Sequence, residues 1–82
     1  MATAQNTPTG GTFTERFARE VKKEIAGQGT TITAVAEQMG LNFEKLSRRL
    51  RGFVPFPLDE VAQLAVVLRV PLSKLIERAE KG

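Results

Sequence analysis

Glu44, Lys45, Arg48, Arg49 and Arg51 make the densest run of chemically capable side chains in this sequence. A guanidinium donates paired hydrogen bonds to guanine O6 and N7 or to phosphate oxygens, and an ammonium neutralises a phosphate as a point charge. Phe43, Leu46 and Leu50 fall at i, i+3 and i+7, one apolar helix face, with Glu44, Lys45, Arg48 and Arg51 opposite it or on its flanks. One side is built to pack and the other to meet a polyanion. Bond-making chemistry has little to work with. The chain contains neither Cys nor His, which removes thiol nucleophiles, disulfides, the usual zinc sites and the commonest general base. The paired acids Asp59-Glu60 and Glu77/Glu80 are expected on solvent faces with no nucleophile or ligand beside them. No catalytic residue, metal or cofactor is expected, and the chain does not read as an enzyme.

The elements that must position this cluster fit one small domain. An 82-residue chain supports a single core. Residues 1–11 are small, polar and aperiodic, and read as a disordered tail ahead of a domain at 12–82. From Phe13 to Gly52 eight basic residues face five acidic ones, whereas from Phe53 onward four offset four. The net charge of +3 therefore sits wholly in the first half, where it would attract nucleic acid. No apolar run approaches a membrane span of about 20 residues. The start lacks the basic and apolar regions of a signal peptide, so a cytoplasmic protein is expected.

Thr12 followed by Glu15 is a capping-box pattern, and Phe13, Phe17, Val21 and Ile25 recur at i+4, predicting a first helix from Phe13 to about Ala26. Glu15 and Arg19 have ion-pair spacing. Gly27, Gln28 and Gly29 end that helix. Thr31 is placed to cap a second, whose Val35, Ala36 and Met39 share a face, and Gly40 suits its left-handed end. Leu41 can drop between the second helix and a third that Asn42 caps. Residues 53–57, FVPFP, must be an extended loop, since prolines suit neither a helix interior nor a central strand. Pro57 is expected at the first position of a fourth helix with a core stripe of Leu58, Val61, Ala62, Ala65 and Leu68. Pro71 starts a fifth, with Leu72, Leu75 and Ile76 inward. No strand pattern or repeat appears. The expected architecture is all-α, a bundle of five short helices with a helix-turn-helix at helices 2 and 3.

The set Thr31, Val35-Ala36, Met39-Gly40-Leu41, Leu46-Ser47-Arg48, Gly52, Pro57, Ala65-x-x-Leu68-x-Val70 and Leu75 resembles the phage-repressor and Cro-type DNA-binding domains, the xenobiotic-response-element family. The resemblance spans about Phe13 to Ala79. It implies a third helix in the DNA major groove and binding to operators as a symmetric dimer. Two positions depart from it. Ile32 stands where many members carry a base-reading glutamine just after the cap, and Arg69 stands where a glycine often takes the left-handed conformation.

On B-DNA, residues near the start of such a helix reach base edges while basic and capping residues hold phosphates. The expected base readers are Phe43, Glu44, Lys45 and Arg48; Phe43 would touch a thymine methyl and Arg48 a guanine. Thr31, Asn42, Arg49 and Arg51 suit phosphates. The competing readings are that Phe43 closes the core, that Glu44 pairs with Arg48, and that the basic face is simply solvated. Arg19, Lys22 and Lys23 interleave with acids and fit a salt-laced surface. Useful affinity calls for two copies about 34 Å apart on the duplex, and Phe53, Val54 and Phe56 are candidates to join them; the alternative is that they close the core. The partners expected are therefore double-stranded DNA and a second copy, with a protein regulator as a further candidate. The alternative function is a protein-interaction module or antitoxin-like protein that binds its partner through the apolar loop.

Overall fold

The computed structural model describes residues 11–52 and 54–81. Five α-helices follow in order: α1 Phe13–Gly27, α2 Ile32–Met39, α3 Phe43–Leu50, α4 Leu58–Leu68 and α5 Leu72–Lys81. No strand occurs among the described residues. Residues 1–10, which hold most of the tail expected at 1–11, lie outside them, as do Phe53 and Gly82.

Local chemistry sets where the helices begin. At α1 the Thr12 hydroxyl accepts from the Glu15 amide at 3.1 Å, and the Glu15 carboxylate accepts from the Thr12 amide at 2.9 Å. Both halves of the capping box are present. A carboxylate turned back to the cap is unavailable one turn ahead, and Glu15 makes no ion pair with Arg19 among the described residues. The fourth and fifth helices start one residue later than expected. Pro57 is extended, φ −61 and ψ 151, and precedes α4 as its cap. Its carbonyl accepts from the Glu60 and Val61 amides, both at 3.0 Å. Pro71 plays the same part before α5, accepting from Lys74 and Leu75.

Every helix contributes to one core, built from Phe17, Val21 and Ile25 of α1, Val35, Ala36 and Met39 of α2, Leu46 and Leu50 of α3, Val61, Leu64 and Leu68 of α4, and Leu75 and Ala79 of α5. The expected stripe of α4 needs correction. Leu58 is 85% exposed, Leu64 is fully buried, and Ala62 lies outside. Apolar residues nearly encircle α4, so spacing alone cannot pick its inner face; packing against α2 picks Val61, Leu64 and Leu68. Leu72, expected inward, is exposed.

Long polar side chains tie the helices together. Arg16 donates from Nε to the Ala79 carbonyl at 2.8 Å and from Nη1 to the Gly11 carbonyl at 2.7 Å, fastening the start of α1 to the end of α5. Arg78 pairs with Glu24 at 2.7 Å, and its hydrogen bond, seconded by Gln28, holds the Glu24 carboxyl below its ordinary range. Gln28 also donates to the Leu68 carbonyl at 2.6 Å, covering one of the carbonyls that the end of α4 leaves free. That end turns on Arg69 in the left-handed region, φ 59 and ψ 37, where the sequence departs from glycine.

Candidate nucleic-acid interface

The pair α2 and α3 is joined by Gly40, Leu41 and Asn42, with Gly40 left-handed at φ 75. The Leu41 amide donates back to the Ala36 carbonyl at 2.9 Å, and the Leu41 side chain packs half-buried against the core. These contacts fix the turn, and burial of Leu46 and Leu50 decides which side of α3 faces inward. The opposite face of α3 is left to solvent.

On that face Glu44, Lys45 and Arg48 are exposed, as is Arg51 at the C-terminal cap. Phe43 is 48% exposed although it shares an apolar spacing with Leu46 and Leu50. It is the first residue of α3 and overhangs the core edge. None of Glu44, Lys45, Arg48 and Arg51 forms an ion pair among the described residues, so Glu44 and Arg48 do not pair at i,i+4. Three cations and one carboxylate thus stand uncommitted side by side.

The two expected capping residues are divided in use. The Thr31 hydroxyl accepts from the Ala34 amide at 3.1 Å, and the Asn42 side-chain oxygen accepts from the Lys45 amide at 2.8 Å. Each cap spends an acceptor on its own helix and leaves a donor, the Thr31 hydroxyl hydrogen and the Asn42 NH2, without a partner among the described residues. Both residues are exposed.

Arg49 is placed differently from Arg48 and Arg51. Its Nε lies 2.6 Å from Glu60 Oε1 of α4, and the two side chains are only 15% and 13% exposed. Both contacting atoms are sealed from solvent, and neither has a hydrogen-bond partner elsewhere; their contact is one of charge rather than an aligned hydrogen bond. Sequence reasoning had no signal for Glu60 as this partner, because the two residues stand on different helices across the loop that follows Gly52.

Of the residues considered for joining two copies, Val54 and Phe56 are half-buried and Phe53 lies outside the described residues. Phe56 meets Phe17 edge-on with ring centroids 5.4 Å apart. Beside it, Phe13, Pro55, Leu58 and Ile76 line an open apolar groove of about 170 Å3. In α1, Lys23 pairs with Glu20, while Arg19 and Lys22 are exposed without ion pairs among the described residues. No group of three His, Cys, Asp or Glu among the described residues could hold a metal ion, and no helix there is long and apolar enough to cross a membrane.

No curated protein matches this chain. A family model, that of the BetR domain, matches residues 11–82, which takes in all five helices. With nearly the whole sequence matched, the chain belongs to the BetR domain family, small helical domains associated with regulators of the helix-turn-helix kind.

Proposed function

We propose that this protein is a sequence-specific double-stranded-DNA-binding transcriptional regulator, a repressor or Cro-like protein, in which α2 and α3 act as the helix-turn-helix. The observation that carries the reading is the outward face of α3, where Lys45, Arg48 and Arg51 are exposed and unpaired among the described residues while Leu46 and Leu50 anchor the opposite side. A helix of this kind fits the major groove with its first turns at the base edges. In that pose Arg48 reads a guanine, Glu44 a cytosine amino group, Lys45 a base or phosphate, and Phe43 a thymine methyl. Thr31, Asn42 and Arg51 hold phosphates. Membership of the BetR family supports a regulatory, DNA-binding role. Two copies on a palindromic operator would supply the affinity that one short helix lacks.

Fluorescence anisotropy with a mixed-sequence duplex over a series of salt concentrations tests this. Affinity should fall with a log-log slope of about −0.9 per neutralised phosphate. In Arg48→Ala/Arg51→Ala it should drop sharply. Absence of salt-dependent binding at low ionic strength refutes the proposal.

A second reading, a protein-interaction module, draws on the apolar groove and the 85% exposure of Leu58. It predicts no salt-sensitive affinity for DNA, so the same titration separates the two.

A further inference from the structure

Three arginines stand within four positions at the end of α3, yet Arg49 alone among them has a carboxylate partner in the described residues. Arg48 and Arg51 point into solvent, whereas the Arg49 guanidinium turns back to Glu60 and is largely shielded from water. Successive residues of a helix are turned by about 100°. With Leu46 and Leu50 inward, Arg48 projects directly away from the core, and Arg49 falls on the flank that faces α4.

That flank is where α3 has least support. Its principal packing is against α2 and α1, not α4, and no helix or strand is described between α3 and α4. The Arg49–Glu60 contact is the one ion pair joining α3 to α4 among the described residues. Moving Arg49 onto a phosphate would strand the Glu60 carboxylate, 13% exposed, without its counter-charge, and breaking a buried pair from one side is strongly unfavourable.

We infer that Arg49 and Glu60 are positioning residues: the pair braces α3 against α4 and sets the roll at which Arg48, Lys45 and Glu44 meet base edges, and Arg49 is not itself a phosphate ligand. The inference rests on the DNA-binding reading and adds to it a determinant of sequence preference that touches no DNA. A recognition element must be held within about 10–20° of its productive orientation to discriminate, and a tie on the unsupported flank supplies that restraint.

The test uses the full chain and two duplexes, one of mixed sequence and one selected by the wild type from a random pool. Arg49→Met/Glu60→Leu replaces the pair by apolar groups of similar bulk, a change that folded domains commonly tolerate, and far-ultraviolet circular dichroism checks that it folds. Arg51→Met serves as the phosphate-ligand control, with a slope shallower by about 0.9. The double variant is expected to keep the wild-type salt slope on the mixed duplex and to lose about tenfold of its preference for the selected one, comparable to the discrimination from one bidentate base contact. A slope reduced by about 0.9 in the double variant would make Arg49 a phosphate ligand and overturn the inference. Unchanged slope with unchanged preference would reduce the pair to a stabilising contact and overturn it equally. If the wild type shows no salt-dependent binding, the DNA reading itself has failed, a result visible before any variant is compared, and the positioning role falls with it.

Discussion

Polar groups engaged within the fold are less free to meet a partner, and the commitments in this structure sort its side chains by role. Glu15 gives its carboxylate to the Thr12 amide and so is lost to Arg19. Arg16 points its guanidinium at a backbone carbonyl of another helix, and Arg49 and Arg78 point theirs at carboxylates of other helices. What remains uncommitted on α2, α3 and their caps is Lys45, Arg48 and Arg51, with donors from Thr31 and Asn42. Arg69 is a residue-scale exception of another kind. It is the one non-glycine residue at positive φ among those described, at 59°, where the side-chain Cβ of an L-residue crowds the following carbonyl oxygen at a cost of about 1–2 kcal/mol. Glycine there removes that crowding but adds freedom to the unfolded chain worth about 0.5–1 kcal/mol. Arg69→Gly is therefore expected to stabilise the protein by about 0.5–1 kcal/mol, since the relieved strain exceeds the added entropy. Urea unfolding should show a higher midpoint with the slope m unchanged. A lower midpoint would mean that the Arg69 side chain makes a contribution larger than its backbone strain.

At the scale of the element, α2 and α3 are eight residues each, too short to be stable alone, so caps and packing decide whether they form. Asn42→Ala removes the acceptor for the Lys45 amide and should cost about 1 kcal/mol. For a domain of this size the melting temperature would drop by about 4–8 °C, and a shift under a degree would show that solvent replaces the cap without loss. The tie between α1 and α5 makes a pH-dependent prediction. Hydrogen bonding from Arg78 holds Glu24 below its ordinary range in the folded state. The folded protein therefore keeps this carboxylate charged at pH values where the unfolded chain has begun to protonate it. Its contribution is present above the ordinary carboxylate range and is lost as pH falls through the lowered folded-state value. Arg78→Gln should flatten the acid limb of the stability profile and leave the difference between pH 6 and pH 8 unchanged. The same distinction between local and tertiary causes explains what the sequence made legible. Caps at Thr12, Thr31 and Asn42 and the turn at Gly40 depend on neighbours within a few positions, and each is found where the residue types place it. The strict i+4 run of α1 was legible in three of its four members: each i+4 step turns a stripe by about 40°, which carries Phe13 out to 41% exposure. The inner face of α4 and the pairing of Arg49 with Glu60 depend on contacts between helices, which no local spacing encodes. The outward, basic side of α3 needed only the helical period, so the exposure of the candidate site could be read while the commitment of Arg49 could not.

On the scale of the whole molecule, the question is how one short helix could hold an operator. A single helix in one groove offers few phosphate contacts, and on the proposed reading affinity is gained by placing two such helices about 34 Å apart on one side of the duplex. That arrangement needs a self-complementary surface away from α3's outward face. Phe56 and Val54 are partly spent on closing the core, Phe56 against Phe17 at 5.4 Å. The neighbouring groove, rimmed by Phe13 at 41% and Leu58 at 85% exposure, retains apolar area that water covers in the monomer. Burying such area between two copies is favourable by about 25 cal/mol per Å2, and a hydrophobic contact of this kind is abolished by a charge placed within it. Leu58→Asp is the informative change because a side chain so exposed at the first position of α4 can be replaced without disturbing the core, and an acidic residue suits a helix start. Sedimentation velocity over a concentration series should show the wild type passing from monomer to dimer and Leu58→Asp remaining monomeric with an unchanged melting temperature. On a selected operator the variant should bind with a reduced Hill coefficient and at least tenfold lower affinity, since tenfold corresponds to about 1.4 kcal/mol. A wild type that stays monomeric with and without DNA would remove the dimer, and binding would then rest on the contacts of a single α3 and the caps that flank it.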